Sequence, residues 1–176
     1  MMKAMITMNA MIIMKAIKNK NAGFSLLEVL IAVLILSFGL LGAAGLQNKT
    51  QQFSRSAYFN TQSTVFAHDI FERARANPSG LAAGYYNNPS AQEKTSCYSL
   101  TGCSTSDMAK NDMYEWSATV EKTLPGGKAV ICIDSSADDG TPAEPACDGV
   151  GLVSAAKVWW SKLDGTTQRV VITSAL

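Results

Sequence analysis

Glu28 is the single charged side chain between Lys20 and Lys49, and it stands just ahead of eighteen uncharged, mostly apolar residues, 29–46. A carboxylate inside a membrane helix costs about 2.5–3.5 kcal/mol on insertion scales, so a chain that keeps one there usually has a use for it. Four other residues with reactive side chains are Cys97, Cys103, Cys132 and Cys147, an even set in the C-terminal half. In an oxidising compartment such a set predicts two disulfides. Three pairings are available; closure of short loops favours Cys97–Cys103 with Cys132–Cys147. Zinc is the rival use of these thiols. It is disfavoured because no Cys-x2-Cys pair occurs and the lone His68 falls on a different segment. His68 beside Asp69 lacks a recognisable nucleophile motif, so no catalytic cluster is expected. The run Asp134-Ser135-Ser136-Ala137-Asp138-Asp139-Gly140 does not match EF-hand spacing and is expected to be a solvated turn. No metal or cofactor is expected.

The segment that carries Glu28 meets the length criterion for a membrane span. Lys3, Lys15, Lys18 and Lys20 precede it without an acid in residues 1–23. The positive-inside rule then keeps the N-terminus cytoplasmic and sends the C-terminus, with all four cysteines, across the membrane. Setting those four lysines aside changes 15 basic against 14 acidic residues to 11 against 14, a net −3. A weakly acidic body without a basic patch argues against nucleic acid as a direct partner.

An ordinary secretory signal places its small-residue cleavage site after the apolar run. Here Gly23 comes before it. Gly23-Phe24-Ser25-Leu26-Leu27-Glu28, behind basic residues and ahead of a long apolar run, resembles the type III signal of type IV pilins and pseudopilins. The resemblance implies cleavage between Gly23 and Phe24 by prepilin peptidase and N-methylation of Phe24. A residue without a side chain suits a site that must be gripped as extended backbone. Cleavage frees an ammonium on Phe24, one helical turn from Glu28. The resemblance further implies that Glu28 of an incoming subunit meets the Phe24 amine of a neighbour already in the filament, so that two costly charges neutralise each other. The bland reading, a glutamate that snorkels to the interface, stays open. Met14 would begin a shorter leader of familiar form and is expected to be the initiator.

Four segments follow from this reading: a leader over residues 1–23, a transmembrane and assembly helix over 24–46, its amphipathic continuation over 47–77, and a globular domain over 78–176. No proline interrupts residues 24–77, and Pro78 disfavours helix in the residue before it. On a helical wheel Phe53, Ala57, Phe59, Phe66, Ala67, Ile70, Phe71 and Ala74 share one half. They are expected to pack on the exported domain, leaving Tyr58 and Val65 for other subunits. Gly39, Gly42 and Gly45 lie in the membrane half. Many major pilins have a proline where Gly45 stands, and this chain departs from that pattern.

Beyond a loop to about residue 96, Ser104-Thr105-Ser106-Asp107 has capping-box spacing and predicts a helix over 107–124. Residues 129–134, 156–163 and 168–173 read as strands, with Asp164-Gly165 as a hairpin turn. The predicted class is α+β, a long N-terminal helix on a small antiparallel sheet. Trp159 and Trp160 must face opposite sides of their strand; one is expected in the core and the other against a neighbour.

Within the pilin class, A-H-D-I-F-E-R-A-R-A-N-P, Cys97-x5-Cys103, D-M-A-K-N-D-M-Y-E-W and L-P-G-G look like segments of PilV-type minor pilins. That resemblance implies a low-abundance subunit that helps start pilus assembly and supports adhesion, twitching motility or DNA uptake. Its partners would be other minor and major pilins, prepilin peptidase and the inner-membrane assembly platform, and its destination the extracellular pilus. A type II secretion pseudopilin and a membrane-tethered binding protein that never polymerises are the alternatives.

Overall fold

A computed structural model of the chain describes residues 23–162 and 164–176. The leader lysines, the start expected at Met14, and Leu163 at the end of the second expected strand lie outside these residues. Helix α1 spans Leu26–Ala76. The chain divides into two units, one ending at Asn48 and the other running from Lys49 to Leu176.

In the first unit every described residue is exposed. An 18-residue stretch of α1 is apolar enough to cross a membrane, and none of that stretch is buried. Water is a poor solvent for such a surface, and lipid is the solvent that its composition suits.

The second unit has an α+β core. Phe66, Ala67, Ile70, Phe71 and Ala74 of α1 are buried, a stripe at helical spacing. Ser63 joins it, with its hydroxyl donating to the Phe59 carbonyl at 2.7 Å. The expected stripe was too long at its start: Phe53 is 74% exposed and Ala57 is also exposed. Eight-residue strands reach about 27 Å, while residues 49–76 of a helix extend about 42 Å. The sheet therefore cannot cover the whole stripe.

Asn77 ends α1 and begins another helix, α2 (Pro78–Ala82), where a plain loop was expected. Its Oδ1 accepts from Gly80 N at 3.2 Å, and its Nδ2 donates to the Thr105 carbonyl at 2.8 Å. Pro78 is at home at the start of a helix, where its missing N–H has no intrahelical partner to lose. A 3-10 turn follows at Thr95–Tyr98.

Helix α3 (Thr105–Thr123) begins two residues before the expected start, because Ser104 is the cap and accepts from Asp107 N at 3.1 Å. Ala109, Met113, Trp116 and Val120 form its buried face. Trp116 Nε1 donates to the Phe66 carbonyl at 2.8 Å, which ties α3 to α1. At the helix end, a Cβ on Gly127 would sit 2.5 Å from the Val120 carbonyl oxygen, so only glycine fits there.

Strands β1 (Lys128–Ile133), β2 (Ser154–Ser161) and β3 (Thr167–Ser174) form an antiparallel sheet in the order β1-β2-β3. Asp164 and Gly165 make the β2–β3 turn: Gly165 has φ +80°, and Asp164 Oδ1 accepts from Thr166 N at 2.9 Å. Along β2, Ala156, Val158 and Trp160 enter the main core. Trp159 lies on the other face, yet it too is only 2% exposed, packed with Val130 and Cys132. The expectation that one tryptophan would be left for a neighbour is thereby corrected. Residues 134–151 fold back over that face.

Candidate functional site

Ser25 sets the start of α1. Glu28 N donates to the Ser25 carbonyl at 3.0 Å and to Ser25 Oγ at 3.2 Å. A serine at the cap satisfies N–H groups that have no partner within the helix. Glu28 consequently stands in the first helical turn, where the partial positive charge of the helix N-terminus favours a carboxylate. Gly23 and Phe24 precede the cap in non-helical backbone, and Phe24 is 81% exposed. The structure thus places the expected cleavage bond in open chain and Glu28 just inside the helix. The serine cap was overlooked in the sequence, although Ser25-x-x-Glu28 has capping-box spacing.

The far end of α1 is held by a polar network centred on Arg73. Its guanidinium donates to Asp69 at 3.0 Å and Glu115 at 2.9 Å and lies 3.6 Å from Asp112. Burial works against its charge, but the hydrogen bonds to Glu115 and Asp69 keep its affinity for the proton above the ordinary arginine value. The hydrogen bond from Arg73 holds Glu115 below the usual carboxylate range. Burial raises Asp112. Burial, followed by its hydrogen bond to Asp112, pushes the Tyr86 phenol well above its ordinary value. Tyr98 Oη donates to Glu115 at 2.9 Å, and Asn111 Oδ1 accepts from Lys94 N at 2.8 Å. Segments 69–77, 86–98 and 105–115 are therefore pinned together by side chains. Their spacing in sequence hides this, apart from the Asp69–Arg73 pair at i, i+4.

Two disulfides complete the scaffold: Cys97–Cys103 and Cys132–Cys147. The loop closed by the second holds the expected turn, with Ser135, Ser136 and Asp138 exposed, but Asp134 at its start is buried. Lys157 projects from β2 beneath it, fully buried. Its Nζ lies 2.5 Å from Asp134 Oδ2 and 3.0 Å from Asp139 Oδ1, and it donates to the Pro145 carbonyl at 2.8 Å. Asp134 Oδ2 has no hydrogen bond of good geometry, so the adjacent ammonium is what offsets its burial. The hydrogen bond from Lys157 lowers Asp139. Arg169 of β3 clasps the same loop through the carbonyls of Asp138, Asp139 and Gly140. Lys157 among the apolar residues of β2 was a readable signal for its clasp; Arg169 shares β3 with Thr167, Gln168, Thr173 and Ser174 and gave no such signal. Cys132, Asp134 and Cys147 lie close enough to suggest a metal, but both sulfurs are joined and Asp134 faces Lys157. His68 is exposed on α1.

Residues 18–44 match the family described as Prokaryotic N-terminal methylation motif. Neither a curated protein nor a solved structure matches the chain. The motif, with the α+β architecture, supports a type IV pilin-like protein, one with a pilin or pseudopilin-like function. Such a motif implies processing by prepilin peptidase and association with other pilins, and with the apolar helix it fits membrane anchoring.

Proposed function

We propose that this chain is a minor subunit of a type IV pilus, a structural protein and not an enzyme. Residues 1–23 form the leader. Prepilin peptidase cuts between Gly23 and Phe24, and the new Phe24 amine is methylated. Residues 24–46 anchor the subunit in the inner membrane, 47–77 continue the helix, and 78–176 form a periplasmic domain that reaches the extracellular pilus after assembly. The observation that carries this reading is the methylation motif over residues 18–44, with Glu28 as the one charge between Lys20 and Lys49, in the exposed apolar part of α1.

Glu28 answers the Phe24 ammonium of an adjoining pilin. In the hydrocarbon each charge alone is costly, and together they offset each other and set the axial register. The PilV-like segments favour the pilus over a type II secretion pseudopilus and over a monomeric tethered binder. As a minor pilin the subunit would help initiate assembly and so support adhesion, twitching motility or DNA uptake.

The test is a Glu28→Lys chain expressed in its own host. Membrane insertion should persist while incorporation into filaments is lost. Normal incorporation would refute the pairing. In a deletion strain, loss of surface piliation supports the pilus, whereas loss of enzyme secretion would assign the chain to a secretion pseudopilus.

A further inference from the structure

The β1–β2 register sets Val130 opposite Lys157 and Cys132 opposite Ala155, so Lys157, Cys132 and the residue two beyond it, Asp134, share one face of the sheet. It is the face that residues 134–151 fold over, and both the Lys157 and Asp134 side chains are fully buried there. Lys157 Nζ has three N–H bonds, and three acceptors other than Asp134 take them: Asp139 Oδ1 at 3.0 Å, the Asp139 carbonyl at 3.3 Å and the Pro145 carbonyl at 2.8 Å. Asp134 Oδ2 lies 2.5 Å from the same nitrogen yet receives no hydrogen bond of good geometry. The nitrogen thus touches this carboxyl group without being aligned as its donor. The other oxygen, Asp134 Oδ1, accepts from Ser136 N at 3.0 Å.

These groups are the parts of an acyl substitution. Lys157 Nζ is the nucleophile and Asp134 Cγ the electrophile, and paired strands hold them in contact. Well-oriented groups within one molecule react as if at about 10⁵–10⁸ M. The Ser136 N–H already grips the oxygen that becomes an oxyanion when Cγ is attacked. Asp139 stands beside the nucleophile, where a carboxylate serves as proton acceptor and then donor. Its side chain is partly exposed, which gives a departing water a way out. Burial penalises each ion of the pair, and an amide carries no charge. The same burial keeps bulk water from hydrolysing the product.

We propose that Lys157 and Asp134 condense to an isopeptide, an amide between Nζ and Cγ that ties the middle of β2 to the end of β1. One proton first passes from Nζ to Asp134 Oδ2 across the 2.5 Å between them, leaving an amine and a carboxylic acid. The amine turns its lone pair to Cγ by rotation about Cε–Nζ and attacks. Negative charge gathers on Oδ1 against the Ser136 N–H, while Asp139 takes a second proton from Nζ. The Cγ–Oδ2 bond then breaks, and the departing hydroxyl receives the proton held by Asp139 and leaves as water. The amide nitrogen keeps one proton. Ammonium and carboxylate have become amide and water, with nothing oxidised or reduced. Until closure the pair persists as the ions described above. The step is independent of the pilin reading.

The test is a tryptic digest of the full-length chain, recovered from host envelopes, reduced and read by mass spectrometry. No lysine or arginine lies between Lys128 and Lys157, so the open chain yields residues 129–156 joined to Lys157 at full mass. A closed bond blocks the cut after Lys157. Residues 129–162 should then stay together, lighter by one water, with no fragment ions from breaks between Asp134 and Lys157. Lys157→Arg keeps the cation but not the nucleophile, and its digest should regain the water. Asp139→Ala changes a partly exposed side chain, so the fold should persist. Closure, timed after a pulse of synthesis, should slow by about a hundredfold without the proton relay. A wild-type chain cut after Lys157 at full mass would overturn the proposal even if Lys157→Arg failed to fold. So would a missing water that survives in Lys157→Arg, since it would lie elsewhere in the loop, or an Asp139→Ala chain that closes as fast as wild type.

Discussion

Lys157 and Asp134 meet 2.5 Å apart with both side chains fully buried, between the sheet and the loop closed by Cys132–Cys147. Such a pair adds little net stability over an apolar pair of the same volume, but breaking it is expensive. Lys157→Met should lower the unfolding free energy by roughly 3–5 kcal/mol, because Asp134 is left buried without a counter-charge. Adding Asp134→Leu should recover most of the loss. Urea midpoints of the full-length chain in detergent measure both. Equal midpoints for the single and double variants would show that the ion pair does not hold the loop.

The loop also depends on its disulfide. Replacing Cys132 and Cys147 by serine should cost about 3 kcal/mol, the entropy of a loop of this length. Trp159 packs against Cys132, so its emission should shift to the red as water reaches it. Replacing Cys97 and Cys103 should cost about 2 kcal/mol, since that loop is shorter. Trp159 is remote in sequence from that bridge, and its emission should not change.

Arg73 holds three carboxylates at the end of α1. Arg73→Gln leaves Glu115 and Asp112 without their cation and should destabilise the domain by about 1.5–3 kcal/mol, the range for hydrogen bonds to charged groups. Partial exposure places the value toward the lower end. Arg73→Lys keeps the charge but cannot span Asp69 and Glu115 with a planar fork, so it should fall between wild type and Arg73→Gln. A lysine variant as stable as wild type would show that charge alone matters.

Acid should loosen this domain. Glu115 and Asp139 have folded values below their ordinary ones, through hydrogen bonds from Arg73 and Lys157. Their contribution is fully present above the unfolded values, about pH 4, and is lost as pH falls through the folded ones. Asp112 has the opposite sign: burial raises it, so its proton uptake favours the folded chain as pH falls. Asp107, Asp148 and Asp164 are lowered as well, each first by a side-chain hydrogen bond, from Ser104, Ser135 and Thr166. With five depressed carboxylates against one raised, stability should decline below about pH 4, and Asp112→Asn should steepen the decline. A urea midpoint that rises between pH 5 and pH 3 would contradict this.

The architecture was legible where local chemistry decides it. The proline-free stretch before Pro78, the serine ahead of Asp107, the β-branched runs and Asp164-Gly165 each point to the element that is found. What escaped was set by chain folding back on itself. Trp159 alternates out of the core, and only the return of residues 134–151 makes that outer face a second interior. Phe53 reads like Phe66 on a wheel, but the sheet is too short to reach both. The Arg73 network joins residues up to 42 positions apart, beyond any periodicity. At the N-terminus the chemistry of Glu28 was readable because an acid among apolar residues is conspicuous. Its cap at Ser25 was readable too, from the capping-box spacing of Ser25 and Glu28.

The most direct measurement is the intact mass of the protein recovered from assembled filaments. A chain that begins at Phe24 and carries one added methyl group is the predicted result. Filaments in which the chain still carries Gly23 and the residues before it would contradict the pairing of Glu28 with a Phe24 ammonium, since that ammonium would not exist.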